Sequence, residues 1–261
     1  MSASDQGLVN IREQIDAIDQ QIQDLLNQRA ACALEVARIK QNSTDKAIYR
    51  PEREAQILRN IIQRNPGPLP SEDVAAIFNL ILAKSRQLQQ PLEIACLAPK
   101  TGLSHTAAIK QFGPNVKITH QRSIEQIFRL VANRQVNYGI IPIENSKTGI
   151  VNETLDCLLK QALQICAEII LPTPKDDSNT RFAVVGLQSP PPSGVDKTSL
   201  LISTTNKPGS LAKIFQPFAK YGVNISAITS RPSAQQLWSY LFLLILRAIS
   251  KNMQYNKPLK N

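Results

Sequence analysis

Histidines, paired cysteines and aromatic side chains are scarce in this chain. It has two histidines and four cysteines. Cys32, Cys96, Cys157 and Cys166 are scattered, with no CxxC spacing. A structural zinc site is therefore not expected; reduced thiols in the core of a cytoplasmic protein are. Aromatics make up 5% of the residues, and no zinc-finger, helix-turn-helix or RNP pattern is present. The net charge of +10 invites a nucleic-acid partner, but the basic residues are spread along the chain rather than gathered in a stripe. Part of the excess sits in the tail, at Arg247, Lys251, Lys257 and Lys260. Residues 1–7 lack the basic start and apolar run of a signal peptide. The longest apolar run, 237–246, is interrupted by Ser239 and reads as a buried strand rather than a membrane span. The expectation is a cytoplasmic protein with no metal, cofactor, nucleic-acid partner or membrane segment.

What is present divides the chain into three regions, a multidomain fold of α plus α/β class. Residues 8–90 contain a single glycine, Gly67, and show helical periodicity. Leu8, Ile11, Ile15, Ile18, Ile22, Leu25, Arg29, Cys32, Val36 and Ile39 follow a 3-4 spacing that suits one long helix with a seam for partner helices. Pro51 fits the first turn of a second helix, to about Arg64. Residues 65–70 (Asn-Pro-Gly-Pro-Leu-Pro) stop it, and Ser71 with Glu72 and Asp73 starts a third, to about Gln89. Beyond residue 92, strands are expected at 92–97, 117–120, 138–143 and 167–171. Helices at 104–112, 124–133 and from 152 alternate with them, the pattern of an α/β layer. The proline-rich linker 189–194 leads to a strand at 199–204, a helix at 210–221 and strands at 223–231 and 237–246. The expected domains are 1–91, 92–188 and 195–261.

The anomaly in the first region is a seam of isoleucines that admits Arg29. A buried guanidinium needs an anionic partner. At about 100° per residue, Arg29 and Lys40 differ by only roughly 20°, whereas Arg12 faces roughly 100° away from Arg29. That suits Arg12 to a different pocket, such as one completed by a second subunit. Ser85 and Gln89 form an i, i+4 pair that interrupts the apolar stripe of Phe78, Ile81, Leu82 and Leu88. Two readings follow from spacing alone. Either these groups line a polar cavity between helices, or Arg29 and Lys40 pair with Glu35, Glu54 or other acids in a coiled-coil interface.

The segments 11–19, 27–29, 36–40, 49–54 and 85–89 resemble the helical chorismate mutase family in order and spacing. The resemblance implies an intertwined helical homodimer that rearranges chorismate to prephenate through a chair-like pericyclic transition state, with no covalent step. It further implies that Arg12, from the partner subunit, and Arg29 bind the two carboxylates, and that Lys40 and Gln89 donate to the ether oxygen. Glu54 would accept from the ring hydroxyl and Ser85 would support a carboxylate. Arg53 would organise the pocket. Arg50 is implied as a substrate contact, at a position where some relatives carry an acid.

Residues 139–146 (Gly-Ile-Ile-Pro-Ile-Glu-Asn-Ser), 149–156 and 179–182 (Asn-Thr-Arg-Phe) resemble prephenate dehydratase. This implies substrate contacts at Glu144, Asn145 and Ser146 and a proton donor at Thr180. The chain departs from that pattern. It has Ala98-Pro99-Lys100-Thr101-Gly102-Leu103 where the family carries Gly-Pro-Glu-Gly-Thr-Phe, and Pro172 runs almost directly into Asn179, where the family inserts a second lobe. Dehydratase activity is accordingly expected to be absent or very weak. Residues 206–211, Asn224 and 230–232 resemble an ACT domain, implying phenylalanine as effector at Gly209, Leu211, Ser230 and Arg231. Thr229 stands where the family has an acid. The polar stretch 247–261 is expected to stand in place of the second helix and fourth strand, as a frameshift or truncation in the gene would leave it. Together these resemblances place the chain with bifunctional chorismate mutase/prephenate dehydratases of phenylalanine biosynthesis, its helical site the most complete of three. A non-catalytic phenylalanine-binding or dimerisation protein is the alternative. Polar groups at Arg29 and Ser85 argue against it, because a mere dimer seam is better served by apolar ones.

Overall fold

The computed structural model describes residues 3–42, 47–174, 177–205, 207–232 and 239–247. The chain divides into two compact units, residues 1–189 and 190–261. The first unit begins with α1 (Ala3–Gln41), a helix of 39 residues, longer at its start than the periodicity predicts. Then come α2 (Pro51–Arg64), with proline in its first turn, and α3 (Ser71–Gln89). Both have the expected bounds. Ser71 does not cap α3: the cap position is Pro70, whose carbonyl accepts from Asp73 and Val74. The Ser71 hydroxyl instead accepts from Asn65 Nδ2 at 3.2 Å. α3 packs against both α1 and α2. The N-terminal part of the same α1 seam that carries Arg29 is bare: Leu8, Ile11, Ile15, Ile18, Ile22 and Leu25 are 50–62% exposed.

The remainder of the unit is a mixed sheet with helices on both faces. Its elements in chain order are β1 (Glu93–Leu97), α4 (Leu103–Phe112), β2 (Lys117–Gln121), α5 (Ile124–Ala132), β3 (Tyr138–Asn145), β4 (Gly149–Ile150), α6 (Asn152–Lys160), β5 (Gln164–Pro172) and β6 (Asn179–Gly186). The strand order is β2-β1-β3-β6-β5, with β4 paired to β3. β2, β1 and β3 are parallel; β6 runs antiparallel between β3 and β5. The 179–182 motif opens a full strand, β6, which the alternation of strands and helices does not predict. The β5–β6 connection closes with Thr173 N–H donating to the Ser178 carbonyl at 2.7 Å.

Alternation assigns the strand side chains to two cores. Ile94, Cys96, Ile140, Phe182 and Val184 face one way, packed with Ala107, Ala108 and Phe112 of α4. Ala95, Ile141, Ala183 and Val185 face the other, packed with Ile127, Phe128 and Val131 of α5 and Cys157 of α6. Such double burial is what a continuous apolar run in a strand requires. The first core also takes in Tyr49, from the segment between α1 and α2. Its ring lies 5.0 Å from Phe112 and 5.2 Å from Tyr138. Gly113 has φ +90°, and a Cβ there would stand 2.7 Å from that of Ala83. This glycine therefore supplies both a left-handed stop to α4 and the close approach of α3.

The second unit contains β7 (Thr198–Thr205), α7 (Ser210–Lys220), β8 (Asn224–Pro232) and β9 (Ser239–Arg247). The antiparallel order is β7-β9-β8, so the most apolar strand is central, and residues 241–246 are buried. Among the described residues both β7 and β8 are edges. The expected unpatterned tail after Arg247 lies outside the described residues. No helix among the described residues is long and apolar enough to cross a membrane.

Candidate active site

Polar groups from α1, the 47–50 segment, α2 and α3 lie in one neighbourhood. Arg29 Nη1 donates to Ser85 Oγ, which itself donates to the Ile81 carbonyl at 2.8 Å. Ser85 is thereby held by its own helix while bonding to α1. Lys40 Nζ donates to the Ala47 carbonyl at 2.5 Å. Burial lowers the Lys40 pKa, and nearby Arg50 lowers it further against the opposing Glu52. Arg50 Nη1 is 3.3 Å from the Glu52 carboxylate. The acid partners that spacing left open for Arg29 and Lys40 are engaged elsewhere: Glu35 pairs with Arg38 at 3.2 Å, and Glu54 with Arg86. Gln89, one turn beyond Ser85, buries its Oε1 with no hydrogen-bond partner, as does Glu52 with Oε2. Orphaned buried polar atoms are costly; a ligand donor would satisfy the Glu52 oxygen, and the Gln89 amide, turned over, would offer its NH₂ to a ligand acceptor. Arg12 is exposed and, seventeen residues before Arg29 on the same helix, stands about 25 Å away along the axis. Arg53 is exposed too.

Arg86 is the residue that pattern reading missed. It is only 5% exposed. Its Nη1 donates to the Glu54 carboxylate, and its Nη2 donates to the Gln111 carbonyl at 2.7 Å. The guanidinium also stacks over Tyr49 and Phe112, 5.5 and 5.6 Å from the ring centroids. Gln111 Nε2 in turn donates to the Tyr49 hydroxyl at 2.7 Å. Burial pushes the Glu54 carboxyl pKa up, with Arg86 in contact and Arg29 further off pulling it back.

In the α/β part, Asn145, Ser146 and Thr180 meet where β3 and β6 pair. Asn145 Nδ2 donates to Ser178 Oγ at 3.0 Å and to Thr180 Oγ1 at 3.1 Å. Its Oδ1 accepts from the backbone of Lys147 and Thr148. The Thr180 hydroxyl lies 3.0 Å from that of Thr173, and Ser146 Oγ accepts from the Asn179 backbone at 2.9 Å. Glu144 lies 3.4 Å from Arg181, which also bonds Glu168 at 3.0 Å. The groups expected to receive a substrate are thus engaged with one another and with the turn. In the second unit, Gly209 takes φ +80° at the cap of α7, Leu211 and Ser230 are exposed, and Arg231 lies on β8 with its side chain outside the described residues.

A third cluster lies at the carboxyl ends of β1 and β2. Cys96, His105 and His120 bring their ligand atoms within 4.8 Å of one another, with His105 Nδ1 3.1 Å from His120 Nε2. Burial raises the Cys96 thiol to about 11. It lowers the His105 imidazole, as do His120 and Lys100 beside it.

Three family models match the chain: chorismate mutase type II over residues 11–90, prephenate dehydratase over 94–176 and the ACT domain over 198–250. A bifunctional chorismate mutase/prephenate dehydratase of Stutzerimonas stutzeri is 33% identical, over 94% of this chain and 90% of that protein. Its counterpart in Pseudomonas aeruginosa is 32% identical over the same shares. Both alignments run over 330 positions against 261 residues here, so the relatives carry residues for which this chain has no equivalent. Among solved structures, prephenate dehydratase from Streptococcus mutans superposes with a TM-score of 0.51 at 31% identity, covering 60% of this chain and 83% of that one. With near-complete coverage at such identity, and helices, α/β layer and terminal sheet in the corresponding order, the chain belongs to the family of bifunctional chorismate mutase/prephenate dehydratases.

Proposed function

We propose that the chain is a chorismate mutase fused to a prephenate dehydratase domain of impaired activity, serving phenylalanine biosynthesis in the cytoplasm. The observation that carries this reading is the Arg29–Ser85 hydrogen bond, with Lys40, Glu54 and Gln89 around it on three packed helices. In this reading Arg29 and Ser85 hold one carboxylate of chorismate. Lys40 and Gln89 donate to the ether oxygen as its C–O bond breaks, and the Gln89 amide turns its NH₂ to that atom. Glu54 accepts from the ring hydroxyl, Arg50 makes a further substrate contact, and prephenate leaves without any covalent intermediate. Catalysis then comes from holding the compact conformer and from fixed donors aimed at developing charge. Arg12 serves the site of a second copy, and the bare stripe of α1 supports a homodimer that buries it. The domains run over 1–91, 92–188 and 195–261. Glu144, Asn145, Ser146 and Thr180 are the residues that the family resemblance implies for a dehydratase site, and their engagement with Arg181, Ser178, Asn179 and Thr173 supports weak or absent turnover of prephenate. Gly209, Leu211, Ser230 and Arg231 would contact phenylalanine.

A paired assay on purified protein tests the reading by following chorismate loss and phenylpyruvate formation. Rapid chorismate loss with little phenylpyruvate is the expected result. No chorismate loss would overturn the mutase assignment and favour a phenylalanine-binding or dimerisation protein; fast phenylpyruvate formation would overturn the impairment.

A further inference from the structure

The only two histidines of the chain stand side by side in the fold, with a cysteine as third neighbour. Cys96 lies on β1, and His120 is its register partner on β2. His105 comes from the first turn of α4, after the 98–102 loop has reversed the chain. The structure assigns these three side chains a role that nothing in their spacing suggests: we propose that Cys96 Sγ, His105 Nδ1 and His120 Nε2 bind one borderline-soft divalent cation of the zinc class.

The donor set selects the ion. One thiolate with two imidazoles suits zinc or its cobalt analogue, while magnesium and calcium require oxygen ligands that the trio does not offer. The geometry agrees with the ion. Two nitrogens each bonded at about 2.0–2.1 Å to one tetrahedral centre stand roughly 3.3–3.4 Å apart, and the imidazole nitrogens, separated by 3.1 Å, need to open by only a few tenths of an ångström. Without a cation, two facing ring nitrogens can share only a single proton between them. A metal uses the lone pairs of both.

The supports are rigid. Cys96 is fully buried, and Ala107 and Ala108 of α4 are buried with it, so sulfur and imidazoles are brought together by packed elements rather than loop tips. Three protein ligands leave the fourth tetrahedral position open to water or an anionic group. The site also lies at the carboxyl ends of parallel strands, where open α/β sheets bind their ligands. The proposal does not depend on which reactions the chain catalyses.

The test uses the full chain, reduced and freed of metal, titrated with cobalt(II) and then zinc(II). The expected result is a thiolate-to-cobalt charge-transfer band saturating at one equivalent and erased by zinc. The band should persist in Cys32→Ser, Cys157→Ser and Cys166→Ser, and disappear in Cys96→Ser. Because Cys96 is buried, His120→Gln provides a second variant. It should keep the circular dichroism and metal-free melting temperature of the parent, yet lose both the band and the zinc-induced rise in melting temperature. Absence of the band in the parent overturns the site. So does a band that survives in folded His120→Gln, or one that disappears with Cys32→Ser instead.

Discussion

Glu54 meets Arg86 directly and feels Arg29 from further away, so the charge of one carboxylate is set by two helices. Because Arg86 is buried and also bonds the Gln111 carbonyl, removing it strands two acceptors. Arg86→Met should destabilise the protein by about 3–5 kcal/mol, the scale for one partner lost from a buried pair. Urea denaturation checks this, and a loss under about 1 kcal/mol would contradict it. Lys40→Ala should lower kcat by about 10²–10³-fold, as for one preorganised donor removed; wild-type-like turnover in that variant would refute its role. In the proposed role the protonated ammonium would be the working form, and burial with Arg50 beside it lowers its pKa below the usual lysine value. Mutase activity should therefore fall as pH rises through a value below 10.5, and in Arg50→Gln that alkaline limb should move to higher pH. A pH–rate profile with an unshifted limb would remove Arg50 from the account. Arg29 and Lys40 were legible in the sequence because they break an apolar period at matching angles. Arg86 was not: it reads as an ordinary solvated helix cation, and only the packing of α4 on α3 makes it a buried one. The same holds for Cys96, His105 and His120, whose proximity depends on strand register and a helix start rather than on spacing.

At the level of elements, α1 carries an unusual burden, with the C-terminal part of its seam in the site and the N-terminal part bare. Ile18→Glu should prevent burial of the bare stripe, giving a monomer by sedimentation with mutase activity lost because Arg12 can no longer reach a partner's site. A dimer of normal activity would show that the stripe serves something else. Gly113→Ala should cost about 1–3 kcal/mol, since φ +90° and the Ala83 methyl both oppose a new Cβ; thermal denaturation measures it. The bounds of α2 and α3 were readable because Pro51 and the 65–70 stop fix them whatever the tertiary context. β6 was not, because its Phe-Ala-Val-Val run earns strand status only through partners far away in sequence, β3 on one side and β5 on the other. Its pairing brings Thr180 opposite Asn145, a contact that a motif alone cannot supply.

At the scale of the molecule, the helices and the α/β sheet are one unit, joined by Tyr49, Arg86 and Gln111. A fragment of residues 1–91 would expose Tyr49 and leave Arg86 without Gln111 and Phe112. It should melt below the corresponding transition of the full chain; calorimetry showing equal melting temperatures would mean that the seam contributes nothing. The order of helices, α/β layer and terminal sheet was legible from the linker at 189–194 and the change of period near residue 92. The fusion of the first two was not, because an interdomain arginine has no sequence signature. The hydrogen bond from Thr173 to Ser178 gives the sheet a port. The chain leaves β5 and re-enters β6 at nearly the same point, so a whole folded body could be spliced in there with its two ends already adjacent. The entropy of closing a longer connection grows by only about 0.6 kcal/mol per doubling of length. The sheet would thus serve as a chassis with the port shut or occupied, so that a longer chain could share its framework.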